Sequence, residues 1–230
     1  MTIDIDRRTA MAAVFAAGTV LAAHGADAQT PPGGGYSPKP LPFDPKTIPG
    51  LSEKLLISHH DNNYVGAVNR IAAIEKQVAG LDPASPGFLY NGLKREELMA
   101  MNSMILHELY FNCLGKGGSK PGAKLAQQIE RDFGTQQKWR DQFVAMGKAL
   151  GGGSGWVLLM WSARAGKLVN QWAADHTMTL ADGRGLIALD MYEHAYAMDF
   201  GAKAAAYVDA YMGALDWANA DREFAAATRA

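Results

Sequence analysis

An acid and an imidazole lie four residues apart in the run Asp190-Met191-Tyr192-Glu193-His194, and a second acid sits beside the imidazole. A short segment of this kind supplies two metal ligands and an outer carboxylate to support them. Of the six histidines, His24 falls in a leader-like stretch, which leaves His59, His60, His107, His176 and His194 for the folded part. His59 lies near the start of one helical pattern, and His107 lies inside another, in Leu106-His107-Glu108-Leu109-Tyr110-Phe111. Three imidazoles and one carboxylate would hold a first-row transition metal and leave a position for water or substrate. The same residues also fit core histidines or a surface Asp–His pair, because the pieces are far apart in the chain.

The elements that must position these groups follow from hydrophobic period. Over residues 52–78, Leu55, Leu56, Val65, Val68, Ile71, Ile74 and Val78 recur largely at spacings of three and four, which predicts a helix entered at Ser52-Glu53. Residues 83–87 break the chain, and residues 95–114 predict a second long helix, ended by Gly115-Lys116-Gly117-Gly118. Together they make an antiparallel helical hairpin. Two shorter helices are expected over 123–133 and 136–150, the second stopped by Gly151-Gly152-Gly153. Residues 156–161 and 167–172 then read as strands around a turn at Ala165-Gly166, and Leu186-Ile187-Ala188-Leu189 as a third. Helical patterns return from Tyr192 onward, with Tyr207, Tyr211 and Leu215 on one face. The expected class is α+β: an N-terminal antiparallel helical hairpin domain over 49–119, and a C-terminal domain over 120–230 with a three-stranded antiparallel sheet flanked by helices.

Residues 1–28 read as an export signal of the twin-arginine kind: Arg7-Arg8, an apolar stretch over 10–23, then Ala26-Asp27-Ala28 with Gln29 as the mature start. The alternative is an uncleaved anchor, for which the apolar run is short against the ~20 residues a spanning helix needs. The expected location is the periplasm. Residues 29–48, rich in proline and glycine, read as a flexible linker. With 48% hydrophobic and 20% charged residues the chain has the composition of a soluble globular protein. A net charge of −1 gives no electrostatic case for nucleic acid, or for a membrane beyond the export signal. Cys113 is the single cysteine and cannot form an internal disulfide, so stability must come from core, metal or oligomer.

From residue 41 to 224 the chain resembles the iron/manganese superoxide dismutase family. The segment from Leu51 to His59-His60 looks like the one that brings in that family's first histidine ligand, and Asn63-Tyr64-Val65 with Asn69 like the stretch carrying its gateway tyrosine. His107 through Phe111-Asn112-Cys113-Leu114 is similar to the second ligand segment, Gly153-Ser154-Gly155-Trp156 to the entry into the sheet, and Asp190 to Tyr196 to the D-x-W-E-H-A-Y signature. The resemblance implies that His59, His107, Asp190 and His194 hold one iron or manganese ion per subunit. It implies dismutation of superoxide, a small anion, to dioxygen and hydrogen peroxide. Tyr64 is implied to order the proton path. His176 falls where the family places a Gln or His that bonds the metal's solvent, and Ser103 occupies the alternative position for that Gln. Trp156 walls the pocket. Glu193 would bridge to a second subunit, which implies a homodimer.

The departures from the family pattern cluster at the entrance. Between His59 and Tyr64 the chain is about three residues shorter than the pattern, and the gateway histidine with its neighbouring lysine is missing. Tyr192 replaces the signature tryptophan, Ala197 a cross-dimer tyrosine, and Lys203 stands one position from the funnel arginine. His59 is preferred to His60 as ligand because the match through Leu51 to His59 has no gap. The altered entrance leaves two other readings open: a dismutase-like protein that binds metal without turnover, and a different metal-dependent enzyme using the same ligands.

Overall fold

The computed structural model describes residues 36–229; the expected export signal over 1–28 and the first part of the linker lie outside them. Helix α1 (Glu53–Ser58) opens at Ser52, whose hydroxyl accepts from the Leu55 amide at 3.1 Å. Asp199 in turn receives both the Ser52 amide and the Ser52 hydroxyl at 2.7 Å. The single helix expected over 52–78 is interrupted. A π-helical turn (His59–Tyr64) separates α1 from α2 (Val65–Ala79). In a regular α-helix, residues five apart point about 140° from one another. Bonding from i to i+5 widens the turn and narrows that angle. His59 and Tyr64 are five apart, and both are buried.

Helix α3 (Gly87–Asn112) pairs with α2 as the expected hairpin, but it begins at Gly87 rather than at residue 95. Its first turns leave Phe88 and Leu89 exposed, so they carry no apolar stripe for periodicity to detect. Further along, Ala100, Ser103, Met104, His107, Tyr110 and Phe111 follow the spacing of one buried face. His107 thus lies in the middle of a core stripe. Helices α4 (Ala123–Phe133) and α5 (Gln136–Ala149) lead into strands β1 (Trp156–Ser162), β2 (Lys167–Ala173) and β3 (Gly183–Asp190).

The sheet is antiparallel with order β2-β1-β3. β3 begins three residues before its apolar run, because Gly183-Arg184-Gly185 pairs with β1 yet shows no hydrophobic signal. Packing of α5 on β1, and of α3 and α8 on β3, buries both faces near the centre, which is why these strands read as continuous apolar runs. The register sets Trp156 opposite Asp190, joining the entrance of the sheet to its exit. Gly155 makes this possible. Its φ is +131°, a Cβ there would lie 2.2 Å from the Ala173 carbonyl oxygen, and its own carbonyl accepts from the Met191 amide at 2.9 Å.

The helix expected directly from Tyr192 is broken into a 3₁₀ turn (Glu193–Ala195), α6 (Ala197–Phe200), α7 (Ala204–Ala214) and α8 (Ala218–Ala227). The Asp190 side chain accepts from the Tyr192 amide at 2.8 Å and holds the chain in a turn where a helix would otherwise start. One apolar core runs through the hairpin and the sheet. Among the described residues no helix is long and apolar enough to cross a membrane. Residues 36–48 do not behave as the flexible linker expected of them. Tyr36, Leu41 and Phe43 pack against the core and Ile48 is buried. The apolar residues interleaved with the prolines supply the contacts that composition alone concealed.

Candidate metal centre

The π turn, the middle of α3, the end of β3 and the following turn deliver four side chains to one point. One ligand atom from each of His59, His107, Asp190 and His194 lies within 4.8 Å of all the others. His59, His107 and Asp190 are buried, and His194 is about a quarter exposed at its side chain, 27%. Asp190 Oδ2 is 3.0 Å from His59 Nε2, 3.2 Å from His194 Nε2 and 3.5 Å from His107 Nε2. Asp190 Oδ1 is held by the Tyr192 amide, which aims Oδ2 at the imidazoles.

The tautomer of His107 is set by its own helix. Nδ1 lies 2.7 Å from the Ser103 carbonyl oxygen, one turn back, and a carbonyl only accepts. Nδ1 therefore carries the proton and Nε2 presents a bare lone pair. That lone pair is buried, has no hydrogen-bond partner, and faces a carboxylate oxygen. Two acceptors facing each other in an apolar interior call for a cation between them. This is the observation by which the residues fit a metal: three nitrogens and one oxygen, with a lone pair that no protein donor satisfies.

The ionisation states agree. Burial is the largest influence on His59 and on His107; it lowers both and brings His107 down to about 3, so both imidazoles are neutral and free to ligate. Burial opposes charge on Asp190 too, but hydrogen bonds from His194 and His59 outweigh it and hold the carboxyl well below the usual range. The walls are aromatic: the His59 ring lies 4.8 Å from Tyr110 and 5.2 Å from Phe111, and the His107 ring 5.3 Å from Trp156, centre to centre.

His176 stands beside this cluster. Its Nδ1 accepts from Trp156 Nε1 at 2.9 Å, so in the neutral ring the proton sits on Nε2. Burial lowers its basicity and keeps it neutral. The His176, Tyr192 and His194 rings stack in sequence at 4.8 and 5.4 Å. Tyr192, which replaces the signature tryptophan, thus spans the gap between His176 and His194. Tyr64 lies elsewhere in the network. Its hydroxyl donates to Glu108 Oε1 at 2.9 Å and accepts from the Lys39 amide at 3.0 Å. His60 turns away from the cluster, with its nitrogens 2.8 Å from the Lys39 carbonyl oxygen and 2.7 Å from Asp61 Oδ1. Lys39 and Glu108 were not singled out from the sequence. The available signal was a lone acid inside the apolar run Leu106 to Phe111.

Among the described residues, one three-nitrogen, one-oxygen cluster set between a helical hairpin and a small antiparallel sheet has the donor set of a mononuclear metal site. Residues 121–223 match the family described as iron/manganese superoxide dismutases, C-terminal domain. An iron superoxide dismutase of Cupriavidus metallidurans is 62% identical over 195 residues, which cover 84% of this chain and 98% of that one. A manganese superoxide dismutase of Haloferax volcanii is 32% identical over 79% of this chain and 92% of its own, and an iron superoxide dismutase of Pyrobaculum aerophilum 28% over 81% and 90%. The chain belongs to the iron/manganese superoxide dismutase family.

Proposed function

We propose that this protein is a superoxide dismutase that works with one iron or manganese ion held by His59, His107, Asp190 and His194. The observation that carries this is the bare, buried Nε2 of His107 facing Asp190 Oδ2 among two further imidazoles. When bound there, iron or manganese supplies a one-electron couple, by which one superoxide is oxidised to dioxygen and a second, with two protons, is reduced to hydrogen peroxide. The protein's own part is preorganisation. Ser103 fixes the His107 tautomer and Tyr192 fixes the Asp190 rotamer. Trp156 fixes the tautomer of His176, whose Nε2–H is then a donor for solvent or substrate on the stacked face. Tyr110, Phe111 and Trp156 exclude bulk water from the ligands. Tyr64 and His176 are the outer residues that order protons.

Two further parts of this reading concern the whole chain. The leader features over 1–28 support export by the twin-arginine route and action in the periplasm. Exposed Glu193 beside the partly uncovered His194 supports a homodimer closing over that face. The test is superoxide dismutation by the purified protein, with metal quantified on the same sample and His107→Ala as control. Activity that tracks iron or manganese occupancy and vanishes in the variant is expected. Full occupancy without turnover would overturn the reading in favour of a protein that binds metal without dismutating.

A further inference from the structure

Tyr64 is buried, yet its hydroxyl is fully engaged by two residues from outside the metal cluster. A phenol has one proton and one rotor. Glu108 Oε1 takes the proton, and the Lys39 amide takes the lone pair. The same Lys39 closes a ring: its Nζ pairs with Glu108 Oε2 at 2.6 Å, and its carbonyl oxygen lies 2.8 Å from His60 Nε2. One residue thus uses its amide, its carbonyl and its ammonium to hold Tyr64, His60 and Glu108 together. The ring bounds a small cleft lined by Pro40, Pro42 and Phe111, and Phe111 packs directly against ligand His59. Burial pushes the Tyr64 hydroxyl up to about 12, so it remains a protonated donor to Glu108.

We propose that Glu108 and Lys39 are positioning residues for Tyr64, and that the segment around Lys39 is part of the reaction site. This rests on the dismutase reading above. Glu108 sets where the Tyr64 proton points, and Lys39 holds the carboxylate in place while cancelling its charge. Without that pairing a bare carboxylate next to His107 would repel an anionic substrate. The ring is anchored on the π turn over His59–Tyr64, the segment that resembles a shortened form of the family's entrance. A different pair of charged residues, one from α3 and one from the N-terminal segment, orders the tyrosine here.

The test is a double-mutant cycle on the metal-loaded enzyme, with amide hydrogen exchange on the metal-free protein as a second readout. Glu108→Ala is expected to lower kcat about ten- to a hundredfold at unchanged metal content, as for loss of one hydrogen bond to a charged group. Glu108→Gln keeps an acceptor for the Tyr64 proton and is expected to restore most of that loss. In a Tyr64→Phe background, Glu108→Ala is expected to cost nothing further. Exchange of the Lys39 amide, whose acceptor is the Tyr64 hydroxyl, is expected to speed up about tenfold or more in Tyr64→Phe. Independent, additive losses in the cycle would overturn the positioning role, and so would a Lys39 amide indifferent to Tyr64→Phe. A metal-loaded parent that is inert defeats the dismutase reading itself; an active parent with additive losses defeats only the role of Glu108.

Discussion

Asp190→Asn separates what the carboxylate does for the metal from what it does for the fold. The substitution keeps the shape and removes the one formal charge in the ligand set. In the metal-free protein two contributions oppose each other. With its oxygen kept on the Tyr192 amide, the new side chain puts an NH2 where Oδ2 stood, so His59 Nε2 and His194 Nε2, at 3.0 and 3.2 Å, lose the acceptor they share. That costs on the order of 1 kcal/mol each. Against this, the new amide offers an N–H to His107 Nε2, which has no hydrogen-bond partner. Satisfying a buried orphan recovers about 1–3 kcal/mol. The two nearly cancel, so the metal-free variant is expected to melt within about 4 °C of the parent, at ~2–4 °C per kcal/mol for a chain of this size. The loaded protein behaves differently. At a hundredfold excess of metal over its dissociation constant, binding stabilises the parent by about 2.7 kcal/mol. That corresponds to a rise of roughly 5–10 °C. The variant is expected to lose most of this rise along with its metal. Scanning calorimetry of metal-free and reconstituted samples, with metal content measured on each, reads both quantities. A metal-free variant melting more than about 10 °C below the parent refutes the cancellation. A variant that keeps the whole metal-dependent rise refutes Asp190 as a ligand.

Two other outcomes follow from the same geometry. Burial lowers His59 and takes His107 down to about 3 in the folded state, whereas an imidazole in an unfolded chain titrates near ~6.5. The unfolded chain therefore binds protons first as pH falls. The stability these two groups contribute is complete above about pH 6.5 and is lost progressively below it. Urea midpoints of the metal-free protein are expected to drop between pH 7.5 and 5, and a flat or rising profile would contradict neutral buried imidazoles. Trp156→Phe keeps an apolar wall but deletes the donor to His176 Nδ1. About tenfold slower turnover at unchanged metal content is expected, the scale of effect typical for residues that orient a metal site. Unaltered turnover would remove His176 from the proton-ordering group.

The parts of the molecule that were legible in the sequence are those written in local pattern. The stripe Ala100, Ser103, Met104, His107 carries helix, burial and ligand in one period, and the apolar runs of β1 and β3 announce strands covered on both faces. The grouping of His59, His107, Asp190 and His194 came from several short motifs in a fixed order, and the structure brings those four together. What was hidden depends on bonding that periodicity does not encode. The π turn over His59–Tyr64 keeps apolar spacing on either side, so the pattern reads as one helix although the ladder inside has changed. The start of α3 and of β3 are likewise silent, because exposed Phe88 and the glycines of β3 carry no buried stripe. The ring around Tyr64 is the extreme case. Lys39 and Glu108 are 69 residues apart, one in a proline-rich stretch and one next to His107. Composition assigns the first to a tether and says nothing of the second beyond its place in an apolar run. Only the folded chain shows that the lysine's backbone and side chain converge on the same tyrosine.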